Sequence, residues 1–222
     1  MLYALGDPVS LVVLVLSFVL AVTLHGWVRS LVAVRQGDRR PAAAGRTRFD
    51  PRRQLDPFGA VAGAIAGVGW SRPLDPPDRR RAGLVVLLLS GAVANLVVGF
   101  AVLAAFRLTG GAVLGASVLQ LQYGVQGFGL LERSLLLFGL MNVFVGLLSL
   151  VPLPPLDGGR LLFALAPRTA GWQKAEYQLD ERNIGVAVLL ALLLIPLGGP
   201  QALLPVLLDT VVGPLVDLVT GG

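Results

Sequence analysis

His25 is the single histidine of the 222-residue chain and sits at the end of a long apolar run, in the stretch LHGWVR over residues 24–29. A helical histidine does hydrolytic chemistry when a second one follows a turn later and a glutamate stands beside the first, the H-E-x-x-H spacing that holds zinc and supplies a base. Here Gly26 stands at the glutamate position and Arg29 at that of the second histidine. Glycine has no group to take a proton from a metal-bound water, and arginine, always protonated, has five donors and no acceptor with which to ligate a cation. The chain contains no cysteine, so a site built from several Cys or His ligands is excluded by counting. Any other ligand has to be a carboxylate. The first candidate is Asp157 in LVPLPPLDGG over 150–159, where Pro152, Pro154 and Pro155 prevent a regular helix and leave backbone that protein or a watered cavity must satisfy. Asp56, in LDPFG, is the further carboxylate that an irregular site could use.

The elements that carry these residues are set by the solvent. Hydrophobic residues make up 55% of the chain and charged ones 14%, against roughly 25% charged in a soluble domain, so this is a membrane protein. Its length suits one domain, and no internal repeat divides it. A span needs about 20 apolar residues to cross the hydrocarbon. Four charge-free runs reach that length, at 9–28, 82–106, 134–156 and 184–208, the last interrupted by PLGGP. The run PFGAVAGAIAGVGW at 57–70 has 14 residues and is too short to span, so it is expected to enter and return. The fold class is therefore all-α, with about four transmembrane helices and one re-entrant segment. The first run lacks positive charge before it and a clear small-residue cleavage site after it, and reads as a retained span.

Arginine placement gives the orientation. The segment 35–56 holds seven arginines and 71–81 holds four, on either side of the short run. Were that run to cross, two arginine-rich loops would face opposite sides, against the positive-inside rule. A re-entrant run puts both in the cytoplasm with the loop 158–183, leaving 16 basic residues inside and Arg107 and Arg133 outside. The N-terminus is then outside. The net charge of +5 is an orientation signal, and basic loops beside anionic lipid need no nucleic-acid partner. Lys174 is the lone lysine among 18 basic residues, and Ala, Gly, Val and Leu dominate, which suggests a high-GC bacterial source and a plasma-membrane location. His25 and Asp157 both fall at cytoplasmic ends of inward-running spans, so the two can meet.

At this point the chain resembles the site-2 proteases, zinc metalloproteases that cut transmembrane segments within the membrane. VTLHGWVRSLVAVRQGD is similar to that family's H-E-x-x-H span, LDPFG with GWSRPLDP to its D-P-x-G and G-W-x-x-P segment, and SGAVAN to A-G-P-x-x-N. NVFVGLLSLVPLPPLDGG resembles N-x6-N-L-x-P-x-P-x-L-D-G most closely. The likeness runs in order from about Val22 to Arg160. It implies a site-2 protease-like core with His25 as the first zinc ligand and Asp157 as the third, Gly26 and Arg29 being degenerate catalytic and ligand positions. Ser149 replaces an asparagine, Asn95 and Asn142 are kept, and Gln54 stands where many relatives have histidine.

The resemblance implies a catalytically inactive pseudoprotease that binds or scaffolds transmembrane segments, with no cofactor expected. Arg29 lies a turn from His25, and both are expected to reach Asp157 in a hydrogen-bonded cluster that takes over the metal's structural role. The alternative is an active metalloprotease with an irregular zinc site of His25, Asp157 and Asp56; a transporter is less favoured, since the spans hold few ionisable residues and no polar lane. Expected partners are transmembrane segments and the bilayer, with an active relative or a homo-oligomer left open. Asn95 and Asn142 are expected to bond between helices, and Trp27 and Trp70 to anchor at membrane edges. The glycine row at 59, 63 and 67 suits close packing, with Gly63 the point where a partner backbone approaches and the re-entrant run its pairing partner.

Overall fold

A computed structural model describes residues 1–74, 81–113, 115–196 and 201–220. Arg79, Arg80 and the LGGP stretch at 197–200 lie outside the described residues. After a short 3-10 turn at Leu2–Gly6, helices run in the order α1 (Pro8–Arg35), α2 (Arg40–Ala43), α3 (Pro51–Gln54), α4 (Pro57–Ala66), α5 (Arg81–Leu108), α6 (Val118–Tyr123) and α7 (Leu130–Ser149). The chain continues through α8 (Asp157–Leu165), α9 (Ala170–Glu176), α10 (Ile184–Leu194) and α11 (Leu203–Thr220). Among these, α1, α5, α7 and α11 are long and apolar enough to cross a membrane. The protein is an all-α, multi-pass membrane protein.

Local sequence explains where α1 starts and stops. Asp7 caps it, its carboxylate accepting from the Ser10 N–H at 3.2 Å and from Ser10 Oγ at 2.7 Å, and Pro8 occupies the first turn, where its missing N–H costs nothing. Its 28 residues reach about 42 Å, longer than the ~30 Å hydrocarbon core of a bilayer, and His25 and Arg29 lie in its second half. Helices α1, α5 and α7 pack together around Phe18, Leu103, Leu140 and Phe144, all buried. Between α5 and α7 the backbones touch: a Cβ on Gly99 would lie 2.7 Å from Val143 Cγ2 and 3.0 Å from the Gly139 carbonyl oxygen. Small residues at such a crossing let dispersion contacts hold helices together where lipid removes the hydrophobic drive.

The short run at 57–70 doubles back. Asp56 caps α4 by accepting from the Gly59 N–H at 2.9 Å, and Gly67, at φ +85°, ends the helix in a conformation that suits glycine. The chain then returns extended, so that Leu55 and Ser71 form an antiparallel bridge and the Arg72 N–H donates to the Gln54 carbonyl at 2.6 Å. Both ends of the run thus lie side by side.

The run at 184–208 is not one span. Helix α10 has 11 residues and stops before Pro196, whose ring supplies no N–H to continue it. The longer helix is α11, which extends to Thr220 and carries Asp209 and Asp217 inside it. Its two carboxylates interrupt the apolar stretch, so the helix does not read as a charge-free run. The structure satisfies both acids: Asp209 accepts from Ser117 Oγ at 2.6 Å and from the Val118 N–H at 2.7 Å, and Asp217 from the Gly115 N–H at 3.1 Å.

Candidate functional site

His25 and Arg29 lie one turn apart on α1 and face Asp157, the first residue of α8. The His25 Nε2 and Asp157 Oδ2 are 2.8 Å apart, and Arg29 Nη1 donates to Asp157 Oδ1. The second Arg29 nitrogen, Nη2, donates to Ser71 Oγ at 2.7 Å and to the Arg72 carbonyl at 3.0 Å. The cluster expected from the sequence therefore forms, and it also ties the returning extended segment to α1. All three side chains are buried, with Arg29 and His25 2% exposed and Asp157 3%.

Electrostatics favour a charged Asp157. Burial pushes its carboxyl up, but the Arg29 guanidinium, the His25 hydrogen bond and the charge of Arg160 outweigh burial and hold it below the usual carboxylate range. An ionised carboxylate only accepts, so His25 Nε2–H is the donor in that pair.

The positions beside His25 are shaped by two glycines. A Cβ on Gly26 would collide with Gln54 Oε1, so the space that a carboxylate side chain at 26 would need is filled by Gln54. Gln54 is itself fully buried and locked: its Nε2 donates to the Arg46 carbonyl at 2.7 Å, and its Oε1 accepts from Arg46 Nη2 at 3.2 Å. On the other side the His25 ring lies against Gly91 of α5, where a Cβ would come within 2.6 Å of Nε2. Gly91→Ala should therefore displace the imidazole from Asp157. In a histidine-selective NMR spectrum the single His25 signal should shift, and an unmoved signal would contradict the packing.

The remaining candidates scatter. Asn95 Nδ2 donates across helices to the Ala21 carbonyl at 3.1 Å, as expected, whereas Asn142 Nδ2 donates to Phe138 of its own helix at 2.8 Å because the i−4 carbonyl is the nearest acceptor. Ser149 Oγ bonds the Gly146 carbonyl at 2.7 Å and lines the cleft beside His25. Asp56 serves as the α4 cap and does not line that cleft. Gly63 offers no open backbone, since a Cβ there would meet the Phe18 ring at 2.6 Å. Apart from its ends, helix α4 spends its main-chain groups on itself, so residues 57–66 offer little backbone for pairing, and only the stretch after Gly67 is extended. Trp70 is 3% exposed and lines the cleft, so its ring packs inside the protein, while Trp27 donates to the Thr47 carbonyl at 2.9 Å. Ser71, Gly91, Arg46 and Arg160 had no assigned role in the sequence, and a loop arginine reads by default as solvated.

A catalytic zinc takes three protein ligands and a water. His25 and Asp157 could supply two. The third position holds a guanidinium that already donates to one of those ligands, and among the described residues no group of three His, Asp or Glu side chains comes together. This donor set does not fit a catalytic zinc. The cleft lined by His25, Arg29, Trp70, Ser71, Ser149 and Asp157 has a volume of about 10 Å³, room for about one water.

The geometry shows an apolar helical bundle in which a histidine from α1 meets an aspartate from α8, and comparison with known proteins supplies the family. The chain is 32% identical over 202 residues to a Bacillus subtilis (strain 168) protein that carries the name "Putative zinc metalloprotease YwhC", covering 86% of this chain and 85% of that protein. The chain belongs to that metalloprotease-like family. No family model matches it, and no solved structure matches it significantly.

Proposed function

We propose that this chain is a degenerate site-2 protease homologue, a pseudoprotease that holds transmembrane segments of other proteins without cutting them. The observation that carries the reading is Arg29, a fixed cation seated in the site and bonded to Asp157, Ser71 and the Arg72 carbonyl. A second support is Gln54, which fills the space beside Gly26 where a general base would stand. Losing a general base alone costs on the order of 100- to 10,000-fold in rate. An active enzyme using Asp56 would have to draw that residue out of its cap on α4. In this reading the protein lies in a bacterial plasma membrane with its N-terminus outside and its arginine-rich loops in the cytoplasm, the arrangement favoured by the retention of positive charge inside.

Metal content tests the first half of this reading. Purified protein should carry zinc well below one per chain by elemental analysis, and His25→Ala should leave that amount unchanged. A stoichiometric zinc that His25→Ala abolishes would establish an irregular active site instead. Binding is tested separately. Val61 is 50% exposed on α4, and Ala64 lies one turn on, so photo-crosslinkers there should capture a transmembrane partner with no cleavage product. Crosslinking to lipid alone at both positions would leave a structural membrane protein as the better account.

A further inference from the structure

We infer that Arg29, Arg46 and Arg160 form a clamp that holds the extended segment Ser71–Leu74 closed over the His25–Asp157 pair. The Arg72 carbonyl accepts from Arg29 Nη2 at 3.0 Å and from Arg46 Nη2 at 2.8 Å. The Pro73 carbonyl accepts from Arg46 Nη1 at 3.0 Å, and the Leu74 carbonyl from Arg160 Nη1 at 2.8 Å. Guanidinium groups from α1, from the loop after α2 and from α8 thus take three consecutive carbonyls. In an extended chain successive carbonyls point to opposite sides, so one neighbouring strand cannot occupy all three. Long side chains arriving from separate elements can.

The same arginines are fastened at their other contacts. Arg29 is held by Asp157, Arg46 by Gln54 and Arg160 by Asp180 at 3.3 Å. The segment's opposite flank is used as well, by the Leu55–Ser71 bridge and the Arg72 N–H bond to Gln54. Ser71 and Trp70 wall a cleft of about 10 Å³ together with Val145, Ser149, Pro155 and Leu156, so a guest larger than a water at His25 and Asp157 has to displace part of that lining, and moving the segment withdraws the Ser71 wall. Hydrogen bonds to arginine exchange with water or with a competing donor, and the closed form is released by local opening without unfolding the bundle. As a gate for a transmembrane guest the clamp rests on the binding reading above; as a device of the fold it can be tested with no guest present.

The absence of cysteine makes the test clean. Leu74, 7% exposed, and Leu140, fully buried, each receive a single cysteine as Leu74→Cys or Leu140→Cys in otherwise unchanged protein in detergent micelles, and maleimide labelling rates are measured. Adding Arg46→Gln should speed labelling at position 74 by roughly 10-fold or more, the change in an opening equilibrium that follows loss of one charge-assisted hydrogen bond. Labelling at position 140 should stay as slow as before. Arg160→Gln is the second arm and should act in the same direction, and Arg46→Lys, which keeps the charge and loses the fork, should act as Arg46→Gln does. Unchanged labelling at 74 in all three variants overturns the clamp. Equal acceleration at 74 and 140 reports loss of the fold, and overturns it too. Faster labelling at 74 alone, in a protein whose α4 crosslinkers capture nothing, supports the clamp while removing the binding reading.

Discussion

Arg29→Ala should lower the unfolding free energy of the detergent-solubilised protein by roughly 3 to 5 kcal/mol, the range for stripping one partner from a fully buried ion pair. The loss is large because Asp157 is 3% exposed, and without Arg29 it is left either as a buried anion with only His25 to meet it or forced toward protonation by burial. In an Asp157→Asn background the same Arg29→Ala change should cost much less, since no buried anion is then left unpaired. What remains is the loss of the Arg29 bonds to Ser71 and to the Arg72 carbonyl. Denaturant unfolding of the four proteins closes a double-mutant cycle, and the difference is the coupling between the two residues. Additive losses would mean that the Arg29–Asp157 contact contributes no energy to the fold.

Arg29→His should give a protein that binds about one zinc per molecule, where the proposed reading expects the parent to bind well below one. The substitution places imidazoles at positions 25 and 29, one helical turn apart on the same face, opposite Asp157, which completes the three-ligand set typical of zinc sites. It also removes the cation that would repel the metal. Without metal this variant should be less stable than the parent, having lost the anchors on Ser71 and Arg72. Added zinc should raise its melting temperature in proportion to the logarithm of zinc concentration, while leaving the parent unmoved. A folded Arg29→His protein that takes up no zinc would show that the positions of His25 and Asp157 no longer suit a metal. No hydrolysis is expected from it, because Gly26 still supplies no base.

The meeting of His25, Arg29 and Asp157 was legible in the sequence for two reasons. Helical spacing put the first two on one face, and the arginine distribution put their end of α1 beside the break that precedes Asp157. The doubling back at 57–70 was legible from length alone. Three things were not. Asp209 and Asp217 hid α11, since a carboxylate in an apolar stretch argues against a span unless its partners are known, and those partners come from residues 115–118. The clamp was invisible because Arg46 and Arg160 look like every other loop arginine, and only the tertiary fold brings them to Pro73 and Leu74. The contact of Gln54 with Gly26 joins residues 28 positions apart in the chain, through packing that has no local pattern to announce it.

Under the proposed reading, that last contact would act as a ratchet. Restoring a glutamate at position 26 in one step would drive its side chain into Gln54, in a site with no room to spare. Clearing Gln54 first would strip Arg46 of a bond, leave the Arg46 carbonyl without its amide donor, and open a void beside a bare glycine. Each step toward the older arrangement is uphill until the other has been taken. A carboxylate at position 26 and a repacked Gln54 would therefore have to arrive together, which couples two positions that the chain keeps far apart.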